Sequence, residues 1–404
     1  MTASHRTATL ATGLSLVAPI SLSTMAIVLL APVLPNLQRE FAGAPHADYL
    51  VPMVLTTPAL CVALLSPLAG AFGDYFGRRR LLLAAFAAYG LVGVAPIFLT
   101  NLTAILASRV LVGIAEALIM VLSTTMIGDY FTEERRERWL AAQTATASLS
   151  ALLFFNVGGV LGELGWRTPF WVYATAFIML AAVAAFTWDL EGRTDPAGEA
   201  AHLHNVSWAD FPWRVMAGII GVTIFASVLF YTVQIQAAPG LVALGLSSSA
   251  RIGFLTSIAS LGVPIGTLVY SRAPRTRIPA LLAVEFTMLA IGFFVMSHAG
   301  SATMFLTGCA LNQLGAGMIL PTLLVWAVSK LRFEVRSRGT GLWTAAFAFG
   351  QFLSPIIVTF ISGRVGGLLP AFAWLSYGAA IAAIAAGLAF ITRLAAPAKG
   401  ASVP

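Results

Sequence analysis

The sequence predicts an all-α membrane protein with twelve transmembrane helices in two six-helix halves, and three observations carry that prediction. Of its 404 residues, 59% are hydrophobic and only 10% are charged, against roughly a quarter charged in soluble domains. Apolar runs of about the 20 residues that a bilayer requires recur along the chain. One polar stretch near the middle divides them six and six.

The first span, near 13–35, carries no acid or base and leaves through Pro32 and Pro35. The second runs over 49–72 and the third over 81–99, with Gly70-Ala-Phe-Gly-Asp74-Tyr-Phe-Gly77-Arg78-Arg79-Arg80 between them. Gly70 lets two helices approach closely, as small residues do in lipid. Gly77 permits a tight turn, and Asp74 is an acid at the membrane boundary that needs a partner. An ordinary basic loop explains the arginines there but not this spacing of glycines and aspartate. The fourth span, 102–127, holds Arg109 and Glu116; the fifth, 139–161, and the sixth, 169–188, follow. From 189 to 214 the apolar pattern breaks, with Glu191, Asp195, Pro196, Glu199, Asp210 and Pro212, so this stretch reads as a linker. It separates an amino-terminal half, 1–188, from a carboxyl-terminal half, 215–404. Spans in the second half fall near 215–238, 250–271, 278–297, 301–327, 339–361 and 370–392.

Charge orients the bundle. With both termini inside, Arg78 to Arg80, Arg135, Arg136, Arg138, Arg272, Arg275, Arg277, Lys330, Arg332, Arg336 and Arg338 share the cytoplasmic side. The other side keeps Arg39, Arg167, Arg251 and Arg364. That asymmetry is the positive-inside pattern, and it accounts for the net charge of +7 without nucleic-acid binding. Cys61 and Cys309 fall within spans and read as small apolar packing residues. His202-Leu-His204 lacks further ligands, so no metal and no cofactor is expected.

A faint internal repeat supports the division. Arg109-Val-Leu-Val-Gly113-Ile-Ala-Glu116 in the fourth span aligns with Leu311-Asn-Gln-Leu-Gly315-Ala-Gly-Met318 in the tenth. The Gly70–Arg80 loop resembles the loop between the second and third helices of major facilitator superfamily transporters. Within that superfamily the chain is most similar to the twelve-helix drug:proton antiporters. Leu30-Ala-Pro32-Val-Leu-Pro35 resembles their proline-rich first-span exit, and Arg109-x3-Gly113 their fourth-span motif. Asp129-Tyr-Phe-Thr-Glu-Glu-Arg135-Arg136 resembles the loop that follows. Gly158-Gly159 and Trp166-Arg167 resemble the tail of the fifth-span motif, although Phe154-Phe155 stand where that motif has Gly-Pro. The resemblance implies a monomeric secondary transporter in a bacterial inner membrane, with its site between the halves near mid-membrane. It also implies a gating motif of Gly70, Asp74, Gly77, Arg78, Arg79, Asp129, Arg135 and Arg136. In that motif Asp74 sits against the start of the eleventh helix around Arg338-Gly339-Thr340, and Arg78 or Arg79 pairs with Asp129.

The chemistry centres on the fourth span. Arg109 and Glu116 are seven residues apart, nearly two turns, and so share a helix face about 10 Å apart along the axis. That is too far for a simple ion pair, so both are expected to face a shared hydrated cavity. The alternative for Arg109 is an anchor to backbone carbonyls of neighbouring helices; for Glu116, a structural acid satisfied by hydroxyls or amides. Glu116 is the candidate proton carrier, since proton and solute can compete for one buried acid. Glu285 in the ninth span is a weaker candidate. Asn156, Gln234, Gln236, Asn312, Gln313 and Gln351 are candidate cavity residues or, alternatively, interhelical hydrogen bonders. Met120, Tyr231, Met318 and Trp343 are candidates for an adaptable apolar wall.

Three functions compete. The first is proton-coupled efflux of small amphiphilic or drug-like molecules by alternating access, with a small-molecule substrate, protons and the lipid bilayer as partners. The second is import or facilitated passage of a small metabolite, favoured by Phe154-Phe155 and the uncharged first span. The third, a membrane enzyme, lacks support: the chain has no His-Glu-x2-His, no Cys-x2-Cys and no phosphate-binding Gly-x4-Gly-Lys-Ser/Thr loop.

Overall fold

The computed structural model describes residues 8–189, 211–272, 277–332 and 335–395, so most of the expected linker, and His202 and His204, lie outside the described residues. Among the described residues, twelve helices are long and apolar enough to cross a membrane. They are α1 (Leu10–Glu40), α2 (Ala47–Phe76), α3 (Arg78–Ile97), α4 (Leu102–Tyr130), α5 (Glu133–Gly162) and α6 (Thr168–Phe186). The second set comprises α7 (Trp213–Ala243), α8 (Ser249–Arg272), α9 (Ile278–Ser297), α10 (Ala302–Ser329), α11 (Arg338–Val365) and α12 (Leu368–Thr392).

Local chemistry explains how these helices differ from the expected spans. Helix α1 is not one rod: it breaks at Ala18-Pro19 and passes through a 3-10 turn at Ala31–Val33. Proline lacks the N–H and crowds the preceding turn, and Pro19 and Pro32 stand at those places. Helix α5 begins at Glu133 rather than 139, because Glu133 and Glu134 in its first turn meet the positive end of the helix dipole. Its charges are therefore helix surface rather than loop. Between α2 and α3, Gly77 has a φ of 88°, a conformation that side chains other than glycine's resist.

Buried apolar residues form two main clusters. One draws on α1 to α6 with Ile235 added from α7, and the other on α7 to α12. Each cluster closes around residues without side chains. Gly113 of α4 rests on Pro58 of α2, where an added Cβ would lie 2.7 Å from the Pro58 Cα. Gly292 of α9 meets the Asn312 backbone of α10 in the same way.

The two sets meet at the end away from the arginine-rich loops, here called the far end. There α5 lies on α8: a methyl at Gly159 would stand 2.6 Å from the Ser249 carbonyl, and one at Gly253 would run into the Phe155 carbonyl. Asn36 donates to Ser249 Oγ at 3.2 Å, and Thr359 of α11 donates to the Asp48 carbonyl of α2 at 3.3 Å. At the basic end no hydrogen bond or ion pair joins the same pair, α2 and α11, among the described residues. Gly70 and Gly341 each have open space around them, and Tyr75 is 83% exposed. Thus the bundle is sealed at the far end and splayed at the basic end.

The seam depends on backbone approach, which a side chain of any size blocks. Gly253→Val should therefore weaken far-end closure by about 1–3 kcal/mol. Disulfide trapping between cysteines placed at Asp48 and Thr359 should fall accordingly; unchanged trapping would show that the α5–α8 contact does not hold the seam.

Candidate functional site

Between the two sets, roughly midway along the bundle, lies a cavity of about 190 Å³. Ser23 and Thr24 of α1, Phe230, Tyr231 and Gln234 of α7, Ser260 of α8 and Gln351 of α11 line it. Two rings line it, Phe230 and Tyr231, 4.8 Å apart, and beyond the lining Tyr231 meets Phe347 at 5.5 Å, which stacks on Trp343 at 5.8 Å. Rings with an exposed π face attract cations. Gln234 Oε1 has no hydrogen-bond partner, and neither does Trp343 Nε1.

Glu116 sits one side chain behind this cavity and is 3% exposed. Ser23 and Tyr231, which both line the cavity, lie within electrostatic reach of its carboxyl. The other carboxyl oxygen, Oε2, has no partner. No lysine or arginine forms an ion pair with Glu116 among the described residues. Gly113, one turn earlier, packs α4 against Pro58 and Cys61 of α2 and fixes the depth of the acid.

Arg109 does not join it. The expected shared cavity is corrected here: Arg109 is fully buried between α3, α4 and the start of α6. Its Nη2 donates to the Gly93 carbonyl at 3.1 Å, and its Nε to Ser108 Oγ at 3.4 Å. The guanidinium lies 5.1 Å from the Phe170 ring centroid and 4.9 Å from that of Tyr173. The seven-residue spacing does put both residues on one face of α4. However, that face meets α3 and α6 near the far end and α1 and α2 deeper in. A long side chain near the far end therefore finds a carbonyl and two rings rather than the cavity.

The remaining polar residues divide in the same way. Gln234 donates to Gln313 Oε1 at 2.9 Å, so Gln313 is a second layer behind the cavity. Asn312 bonds to the Leu289 carbonyl of α9 at 3.4 Å, and Asn156 to Leu152 of its own helix at 2.7 Å. Neither lines the cavity. Glu285 is fully buried between α9 and α10, and its Oε1 accepts a 2.5 Å bond from Thr322. Sequence reasoning passed over Ser23, Thr24, Phe230 and Ser260. A signal existed in the run Ser21-Leu-Ser23-Thr24 inside an otherwise apolar span.

At the basic end, Arg78 bridges two acids. It donates to Asp74 Oδ1 at 2.7 and 2.9 Å and to Asp129 Oδ2 at 2.6 Å, tying α2, α3 and α4 together. Arg79 serves α6 instead, through Thr187 and the Ala184 carbonyl. Arg135 lies over the Phe131 ring at 5.3 Å, and the Arg136 guanidinium lies beside Gly128. The expected seat of Asp74 at the start of α11 is not occupied in this conformation. The Asp74 side chain remains 43% exposed, and Gly339 packs on Leu331. The splay of α2 from α11 removes the surface on which it would sit.

These roles separate by stability. Arg109→Ala removes a desolvated cation from its rings and carbonyl, and should lower unfolding stability in detergent by about 2–4 kcal/mol. Glu116→Gln keeps the shape and should change stability far less. The reverse order in thermal melts would show that Arg109 is not an anchor.

Comparison with known proteins agrees with this architecture. The tetracycline resistance protein, class B, of Escherichia coli is 30% identical over 165 residues, covering 41% of each chain. Multidrug resistance protein 1 of Bacillus subtilis is 28% identical over 179 residues, covering 43% of this chain and 44% of its own. The chain thus spans less than half the length of these curated relatives in the matched region. A crystal structure of a bacterial homologue of the human lysosomal transporter Spinster, inward-facing and occupied, superposes with a TM-score of 0.73 at 16% identity. It covers 94% of this chain and 96% of that one, which shows a shared fold. Residues 20–355 match the family profile of the Major Facilitator Superfamily, and the chain belongs to that family.

Proposed function

We propose that this transporter is a proton-coupled exporter of cationic, amphiphilic small molecules. It works as a monomer in a bacterial inner membrane, with both termini and the arginine-rich loops in the cytoplasm. The observation that carries the proposal is Glu116. It is a buried acid with one oxygen unpartnered and no ion pair among the described residues, within electrostatic reach of Ser23 and Tyr231 of the cavity wall and, more distantly, of Arg109.

An acid in that position holds either a proton or the field of a nearby cation, because a bare buried carboxylate is costly. A cation entering the cavity from the splayed end favours the ionised form, so the proton leaves as the solute arrives. Closing the basic end and opening the far-end seam then exposes the solute to the other side. There a proton returns to Glu116 and the solute departs. Arg109, committed to Gly93, Phe170 and Tyr173, holds α4 at the register that this exchange needs. The names of the tetracycline and multidrug resistance relatives fit export. A second reading, import or facilitated passage of a metabolite, draws on α5, which runs as unbroken helix through Phe154 and Phe155 where the antiporter pattern has a proline.

Proteoliposomes with a pH-sensitive dye inside, challenged with lipophilic cations and small metabolites under an imposed pH gradient, test the proposal. Cation-dependent proton movement is expected in the wild type and not in Glu116→Gln. Transport that continues with proton movement in the variant would remove Glu116 as carrier; transport without proton movement in the wild type would identify a facilitator.

A further inference from the structure

The fold places one acid where helix electrostatics disfavours it. Glu163 caps the carboxyl-terminal end of α5, where exposed carbonyls and the negative end of the helix dipole repel an anion. What offsets that cost belongs to the other six-helix set. Glu163 Oε1 accepts from Ala250 N at 2.8 Å and from Ser248 Oγ at 2.7 Å, both at the start of α8. Ser248 is already the N-cap of α8, with its Oγ accepting from Arg251 N at 3.1 Å. The positive end of α8 therefore carries two caps, one of its own and one from across the seam. Carboxylates are favoured at such ends, and a charged acceptor makes the stronger hydrogen bond.

We propose that Glu163 is a gating residue: its carboxylate, seated on the first turn of α8, latches the far end shut and sets the balance between the two access states. This rests on the alternating-access reading above but not on proton coupling or on the identity of the solute. The neighbouring charges do not satisfy Glu163 in its place. Glu40 of α1 pairs with Arg167 at 3.5 Å. Arg39, His46, Arg251, His298 and Arg364, the other basic groups at this end, form no ion pair with Glu163 among the described residues, and the acid Asp48 and the phenol Tyr49 offer it no cation. When the seam parts, Glu163 faces water beside its own helix's negative end and the contact is lost.

The Ala250 N–H and the Ser248 hydroxyl hold the Glu163 carboxyl below the usual carboxylate range. The latch is therefore complete above the ordinary glutamate value of about 4.3 and weakens as the far-side pH falls below it. Protonation forms an O–H bond on the carboxyl with a proton from that medium and cancels the charge facing α8. At neutral pH the latch is closed by default.

Nitroxide labels at Gly43→Cys and Ser247→Cys, in a background lacking Cys61 and Cys309, report far-end separation by dipolar spectroscopy in nanodiscs without any substrate. At pH 7.5, Glu163→Gln should raise the ratio of open to closed distances about tenfold, the loss of one charge-assisted contact. Ser248→Ala, which removes one donor, should raise it less. Between about pH 5.0 and 3.0 the wild type should move toward the Glu163→Gln distribution while the variant stays unchanged. Equal distance distributions for all three proteins at pH 7.5 would overturn the proposal. An acid response that persists in Glu163→Gln, or one absent from the wild type, would overturn the role of its charge. A chain that proves to be an importer would still show these distances, so failure of the export reading and failure of the latch are separable.

Discussion

Hydrocarbon offers no water to a polar group, so each ionisable side chain inside a bundle has to be answered by the protein itself. That constraint bears on the three buried charges among the described residues, and each is answered only in part. Arg109 has a carbonyl and two aromatic faces but leaves Nη1 unpartnered, and Glu285 has the hydroxyl of Thr322 but leaves Oε2 unpartnered. What distinguishes Glu116, with Oε2 unpartnered, is that Ser23 and Tyr231 of the cavity wall lie within its electrostatic reach. An incompletely satisfied acid is expensive to keep in a bilayer. The proposed exchange of proton for cation would give that expense a use.

The same economy shapes the seam. Its closest contacts are between backbones, at Gly159 with Ser249 and at Gly253 with Phe155, with few polar bonds at its rim. Packing of that kind is tight when made and leaves no buried charge behind when broken. Polar bonds at the edge, the Glu163 cap among them, then tip a balance that the glycines leave nearly level. The Arg78 bridge at the basic end differs in kind, because all its members lie within α2, α3 and α4 and can travel as one body.

Much of this was legible in the chain before any coordinates. Span count, the glycine turn at Gly77 and the placement of Glu116 inside the bundle all follow from composition, spacing and the turn that glycine permits. What stayed hidden depended on which neighbour a helix face meets at each depth. The i to i+7 relation put Arg109 and Glu116 on one face, yet α3 and α6 flank one and α1 and α2 the other. Ser23 and Thr24 drew no expectation, since a hydroxyl satisfied by its own helix and one near a buried acid read alike in a sequence. Asp74 was assigned a partner on α11 that only a closed basic end would supply. Glu163 gave no signal at all, because its role arises from a helix start 85 residues away in sequence.

The central claim is that solute and proton exclude one another at Glu116, and proton release on binding tests it most directly. Purified transporter in weakly buffered detergent solution would be mixed with tetraphenylphosphonium while pH and binding are followed together. The account predicts that wild-type protein releases protons in proportion to cation bound, and that Glu116→Gln releases none. Cation binding without proton release in the wild type, or release undiminished in the variant, would contradict it.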